Sequence, residues 1–115
     1  MADEQDALKR AVCQAVDARR DALVAVAREI HAHPELAFEE RRAAALLVRA
    51  LKDEGLPVEA PAYGLDTAFE SRVGAAGPTV ALLAEYDALP GIGHACGHNL
   101  IAAAALGAGL ALASL

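Results

Sequence analysis

An unbroken apolar run, a short polar loop and an alanine-rich run follow one another at the end of the chain, and this succession constrains the fold most. Residues 79–84 (TVALLA) lack polar alternation, which indicates a strand buried on both faces. Residues 100–115 are too long for a strand and rich in alanine, the best helix former. The polar residues 85–99 therefore lie on a strand-to-helix connection. In an α/β sheet such connections lie at the carboxyl edge, where ligands bind.

Two helices are predicted upstream. Apolar residues recur at helical spacing over residues 6–32, with Asp6 as the N-cap. A weak point near Asp17 offers a break, but one long helix is the simpler prediction. A second helix is predicted over residues 38–54, and Gly55 after it is typical of a left-handed helix exit.

Two further strands are predicted over residues 56–60 and 66–73, the second with one face in water. The order helix, helix, strand, strand, strand, helix predicts an α/β layer in which residues 79–84 form the central strand. The length of 115 residues suits one domain.

Composition excludes several classes of partner. A net charge of −6 argues against nucleic-acid binding, which needs clustered basic residues. The apolar run 100–115 is shorter than the roughly 20 residues that span a bilayer, so no membrane segment is predicted. Cys13 and Cys96 make no disulfide framework, and the acidic first residues lack the basic start of a signal peptide. A cytoplasmic location is therefore expected.

The central loop carries metal-binding residue types. Cys96 and His98 flank a single glycine, and thiolate and imidazole are both good zinc ligands. The loop glycines allow the backbone to bring His94, Cys96 and His98 toward one point. Asp87 is placed to orient a ligand imidazole or to bridge the metal. A catalytic zinc site needs three protein ligands, and the residues clearly offer two.

The residue types alone leave three interpretations of Cys96 open. It is a metal ligand, a structural cysteine near a helix start, or a nucleophile paired with His94 or His98. Spacing of i, i+2 on a loop rarely gives a nucleophile–base hydrogen bond, so the nucleophile is the least favoured. His31 and His33 also invite a metal interpretation, but a polar turn in which one imidazole caps the preceding helix is preferred.

The segment 85–100 (EYDALPGIGHACGHNL) resembles the metal-site segment of the aminoacylase/carboxypeptidase family of dinuclear metallohydrolases, in particular its amidohydrolase branch of hippurate and auxin-conjugate hydrolases. Residues 31–40 (HAHPELAFEE) resemble the N-terminal motif of that family. Asn99 and the pair Glu85-Tyr86 depart from the commonest pattern of the branch. Both departures resemble its dipeptidase sub-branch, of the Xaa-Arg (β-alanyl-lysine) type.

The resemblance implies roles for three residues. Cys96 and His98 match the first two metal ligands of the branch, and Asp87 matches its active-site aspartate, which supports the metal site from behind. The implied cofactor is a divalent metal, zinc with manganese or cobalt as alternatives, and two ions in the complete enzyme. The implied reaction is attack of metal-activated water on the amide bond of a dipeptide or N-acyl amino acid.

The resemblance also implies a fold and an extent. Residues 1–115 match the N-terminal portion of a three-layer α/β/α catalytic domain with a mixed sheet, incomplete as given, without the lid or dimerisation domain. The full-length protein is expected to be an enzyme, with a homodimer as one option, and the 115 residues alone are expected to be inactive. The alternative is a truncated relative that serves as a non-catalytic structural or interaction module.

Overall fold

Four helices make up the regular structure of the computed structural model, which describes residues 1–115. They are α1 (Ala2–Asp17), α2 (Arg20–Ala32), α3 (Arg41–Asp53) and α4 (His98–Ala113). Helix α4 packs against all three others. None of the four is long and apolar enough to cross a membrane.

The single long helix predicted over residues 6–32 is wrong, because the chain breaks between α1 and α2. Helix α1 begins at Ala2 rather than after Asp6, and its acidic first turn complements the helix dipole. The break follows from Arg19, whose backbone leaves the helical region and whose guanidinium donates to the carbonyl oxygen of Ala15 at 2.7 Å. The same guanidinium pairs with Glu54 at 2.6 Å, so the break joins α2 to the end of α3.

Helix α3 begins at Arg41, three residues later than predicted. Phe38 adopts a left-handed backbone with φ of 68°, which excludes it from the helix. Both carboxylate oxygens of Glu35 accept hydrogen bonds of 2.9 Å from the backbone amides of Arg42 and Ala43. These are amides that a helix start leaves without an intrahelical partner, so Glu35 caps α3 from the preceding turn.

The predicted glycine exit from α3 is confirmed. Gly55 has a φ of 80°, and its amide donates to the carbonyl oxygen of Lys52 at 2.9 Å. The amide of Leu56 donates to the carbonyl oxygen of Leu51 at 3.1 Å. This pair of bonds is a Schellman motif, which satisfies carbonyls that the helix end would otherwise leave free.

The core lies where α2, α3 and α4 meet. Small residues on α4 allow a close approach, and a Cβ added at Gly107 would lie 2.7 Å from Cδ1 of Leu23 on α2. Helix α1 contributes no buried residue. The buried cluster consists of Val26, Ile30, Ala43, Leu47, Leu51, Tyr86, Ala102, Leu106 and Leu110.

The strands predicted over residues 56–60, 66–73 and 79–84 are wrong for this structure, which contains isolated bridges in place of a sheet. Residues 59 and 70 form one antiparallel bridge. Residues 79–84 make no backbone hydrogen bond, and Val80 and Leu83 are 84% and 80% exposed rather than buried. The physical reason is that a strand needs neighbours for its amides and carbonyls, and no segment of this chain pairs with residues 79–84.

Candidate metal centre

The polar loop joins extended residues 84–88 to the start of α4. Its turn is closed by a hydrogen bond of 2.9 Å from the amide of Leu89 to the carbonyl oxygen of Gly93. Gly97 has a φ of 82° and is the N-cap of α4, so His98 is the first residue of that helix. The left-handed glycine redirects the chain and turns the His98 side chain back toward the extended segment.

The side chains of His98 and Asp87 are directly hydrogen-bonded. Nδ1 of His98 lies 2.9 Å from Oδ1 of Asp87 and 2.9 Å from the carbonyl oxygen of the same residue. Both partners are acceptors, so Nδ1 carries the proton and donates. In the neutral imidazole this leaves the lone pair on Nε2, the arrangement that a metal-ligating histidine needs.

The other nitrogen of His98 also faces a carboxylate. Oε2 of Glu85 lies 3.3 Å from Nε2 of His98. Glu85 and Asp87 reach the imidazole from the same side of the extended segment because side chains two residues apart share a face. The sequence did not predict this contact.

Tyr86 lies between the two carboxylates in the sequence and is buried in the core. Its hydroxyl donates to the carbonyl oxygen of Thr67, and its ring stacks on Phe69 with centroids 5.9 Å apart. Burial, with a contribution from the Glu40 carboxylate, raises the pKa of Tyr86 to about 12. Tyr86 thus anchors the extended segment while Glu85 and Asp87 remain at the site.

Cys96 is exposed, and it does not form the predicted three-residue cluster with the histidines. No three histidine, cysteine or acidic side chains of the chain are arranged so that they could hold a metal ion. His94 is buried while Cys96 faces solvent, so the loop sends their side chains to different environments. The predicted convergence of His94, Cys96 and His98 is therefore wrong in this structure. The metal-ligand roles of Cys96 and His98 stay predictions.

His94 is 7% exposed, and neither ring nitrogen has a hydrogen-bond partner of good geometry. Burial lowers the pKa of His94, and the nearby His31 and His98 lower it further, against opposing contributions from Asp87 and from the backbone of Ile30. The ring of His94 lies 6.5 Å from that of His31, centroid to centroid. Sequence reasoning placed His94 on the loop but had no signal for its burial.

In the His31–His33 turn one imidazole caps the preceding helix, as the preferred interpretation of the sequence predicts. Nδ1 of His33 lies 3.1 Å from the carbonyl oxygen of Glu29, which is a cap on the last turn of α2. The capping prediction is confirmed, and His31 is exposed.

Glu35 ties this turn to the metal loop, and sequence reasoning missed it. Its carbonyl oxygen accepts a hydrogen bond of 2.7 Å from the amide of Ala88, the residue after Asp87. Leu36 and Ala88 form a parallel bridge at the same point. Because the carboxylate of Glu35 also caps α3, one residue fixes the extended segment relative to that helix. The resemblance of residues 31–40 to a family motif was the one signal in the sequence that pointed to a role for Glu35.

The thiol-nucleophile interpretation finds no paired base. Neither nitrogen of His94 is hydrogen-bonded, so the Cys96 thiol makes no bond to it. Both nitrogens of His98 face carboxylates. A nucleophile needs a base within hydrogen-bond reach, and no imidazole is held for that purpose here.

The donor types at this site fit a divalent metal ion. His98 offers an oriented Nε2, and Cys96 offers a solvent-accessible thiol on the same loop. Imidazole and thiolate together suit zinc and similar borderline cations. A complete site takes more ligands than these two.

Comparison with known proteins gives relatives over nearly the whole chain. No family model matches. The chain is 46% identical over 130 residues to the Xaa-Arg dipeptidase of Mus musculus, covering 99% of this chain and 30% of that protein. It is 43% identical to the Xaa-Arg dipeptidase of Homo sapiens, covering 97% of this chain and 30% of the relative. It is 34% identical to the N-acetyl-L-cysteine deacetylase of Bacillus subtilis (strain 168), covering 78% of this chain and 25% of that protein. The chain thus spans less than a third of the length of these relatives.

Proposed function

The chain belongs to the amidohydrolase and aminoacylase family of these relatives, and from that premise we propose that the whole protein is a metal-dependent hydrolase of dipeptides or N-acyl amino acids. The names of the relatives support this substrate class, because each denotes cleavage of a peptide or amide bond. An Xaa-Arg dipeptide is the first substrate to test. The 115 residues alone are proposed to be inactive, because they offer too few ligands to complete a metal centre.

The observation that carries the proposal is the bond between Asp87 and His98. Asp87 holds Nδ1 of His98 at 2.9 Å, which orients the ring and directs Nε2 outward as a ligand. Cys96 is the second proposed ligand, on the same loop. A divalent cation bound there, zinc with manganese or cobalt as alternatives, supplies a Lewis acid that polarises an amide carbonyl.

The proposed fold of the whole protein is a three-layer α/β/α domain with a mixed sheet. Residues 79–84 support this proposal because they are mostly apolar and belong to no helix, with Val80 and Leu83 open to solvent. Such a segment is typical of a central strand whose neighbours come from elsewhere in the protein. Helix α4 then covers one face of that sheet.

The test uses the full-length protein with Xaa-Arg and Xaa-Lys dipeptides and a panel of N-acyl amino acids. We expect hydrolysis that a chelator abolishes and that zinc, manganese or cobalt restores. Cys96→Ala and His98→Ala are expected to abolish it. Cys13→Ala is the matched control, because Cys13 is an exposed thiol on α1, and it is expected to leave the rate unchanged. Hydrolysis that survives chelation and both site variants would overturn the proposal.

A further inference from the structure

The contact between Glu85 and His98 is unfavourable unless something positive lies between the two side chains. Nδ1 of His98 donates to Asp87, so a neutral ring presents the lone pair of Nε2 to the Glu85 carboxylate. Two acceptor atoms then face each other across 3.3 Å. Acceptors do not attract one another, so either a proton or a metal cation joins them.

From this juxtaposition we infer that Glu85 is a further ligand of the metal that His98 binds. The inference rests on the proposed function and extends it, because Cys96 and His98 are the ligands that the resemblance implies. It gives a role to a glutamate at which the chain departs from the commonest pattern of the branch.

The spacing of the two atoms supports a shared ion. Ligand distances of about 2.0–2.2 Å around a tetrahedral zinc ion place neighbouring ligand atoms roughly 3.3–3.6 Å apart. The observed separation of 3.3 Å between Oε2 of Glu85 and Nε2 of His98 falls in this range. The separation is therefore compatible with one cation in contact with both atoms.

The surroundings leave this position open to solvent. The Glu85 side chain is 59% exposed and that of His98 is 20% exposed, while Tyr86 occupies the buried side of the segment. A cation can reach the pair from water without displacing the core. A carboxylate beside the imidazole supplies negative charge against a dication, and its hard oxygen favours manganese or cobalt more than a soft donor would.

Metal affinity of the full-length protein tests the inference. Metal-free protein is titrated with Zn²⁺ and Co²⁺ in competition with a chromophoric chelator, and the visible absorption of bound Co²⁺ reports its ligands. We expect Glu85→Ala and Glu85→Gln to weaken binding by at least about tenfold and to change the Co²⁺ spectrum. Glu39→Gln is the matched control, an exposed glutamate whose side chain makes no hydrogen bond, and it is expected to match the wild type.

The outcomes separate the inference from the proposed function. Wild-type affinity and an unchanged Co²⁺ spectrum in both Glu85 variants would overturn the inference, leave the metal site standing and show that only a proton joins Glu85 to His98. Absence of metal binding in the wild type would overturn the proposed metal dependence itself. Because Glu85 is exposed, the variants are expected to keep wild-type helix content by circular dichroism.

Discussion

Asp87 holds His98 through two of its oxygens, with Oδ1 and the backbone carbonyl oxygen each 2.9 Å from Nδ1 of the imidazole. The carbonyl belongs to the backbone of the extended segment, so the imidazole ring is held by the backbone as well as by a side chain. The segment is itself fixed on one side by buried Tyr86 and on the other by the bond from Ala88 to Glu35. The orientation of the proposed ligand is therefore built into the fold before any metal binds.

Replacing Asp87 tests how much of this orientation depends on its side chain. Asp87→Ala is expected to weaken metal binding by the full-length protein about 10–100-fold, because the imidazole loses the carboxylate behind it. Asp87→Asn keeps an acceptor oxygen without the charge and is expected to lose less. Metal affinity and the nitrogen chemical shifts of His98 report both effects. Asp66→Asn is the control, since Asp66 is an exposed partner of Arg41. Wild-type affinity in Asp87→Ala would contradict the positioning role.

Glu35 is predicted to stabilise the chain mainly through its cap on α3. Glu35→Ala leaves the amides of Arg42 and Ala43 without their acceptor and is expected to lower the free energy of unfolding by about 1 kcal/mol. Glu35→Gln keeps one acceptor oxygen, and a smaller loss is expected. Urea unfolding followed by circular dichroism measures both. A loss as large in Glu39→Ala as in Glu35→Ala would show that the cap is not the cause.

Local signals predicted local structure well. Gly55 ended α3 as expected and His33 capped α2, because both features depend on neighbours within a few residues. The break at Arg19 was offered by the weak point near Asp17 but was not preferred, because the ion pair that accompanies it joins Arg19 to Glu54, which lies far along the chain. The sheet prediction failed for a related reason, since residues 79–84 carry the right pattern for a buried strand but have no partner segment in this chain.

At the candidate site, too, features set by nearby residues were predicted and features set by tertiary packing were not. The sequence predicted that Asp87 would orient an imidazole, and the structure brings it to His98. The expected meeting of His94 with Cys96 failed, because burial of one side chain and exposure of the other depend on packing that spacing does not record. The approach of Glu85 to Nε2 of His98 depends on the left-handed turn at Gly97, which periodicity could not reveal.

Two glycines on α4 are predicted to respond differently to alanine. A Cβ at Gly109 meets only Cδ1 of Leu82 at 3.9 Å, so Gly109→Ala is expected to raise the free energy of unfolding by up to about 1 kcal/mol through helix propensity. A Cβ at Gly107 would lie 2.7 Å from Cδ1 of Leu23, so the end of that side chain must shift and part of the same gain is lost. Gly107→Ala is therefore expected to stabilise less than Gly109→Ala. Chemical unfolding measures both variants.

The Leu23 contact is the proposed cause of that difference. Combining Leu23→Ala with Gly107→Ala removes the clash, so alanine at position 107 is expected to be better tolerated there than in the wild-type background. Equal effects in the two backgrounds would contradict the packing explanation.

The ion pair between Arg19 and Glu54 is predicted to make stability depend on acid pH. The hydrogen bond from Arg19 lowers the pKa of Glu54 below its ordinary value of 4.5, with partial burial opposing and the charge of Arg19 adding to the shift. A carboxyl whose pKa is lower in the folded chain stabilises the fold above its unfolded-state pKa, and that contribution disappears as the pH falls through the folded-state pKa.

Glu54→Gln is accordingly expected to reduce the free energy of unfolding at neutral pH and to have progressively less effect as the pH falls below about 4.5. The loss at neutral pH is expected to be about 0.2–1 kcal/mol, since both side chains are partly exposed and water screens the pair. Urea unfolding across this range measures the difference between wild type and variant, with Glu39→Gln as the control. A difference that stays constant with pH would contradict the ion pair as its source, because a packing loss has no reason to follow the titration of one carboxyl.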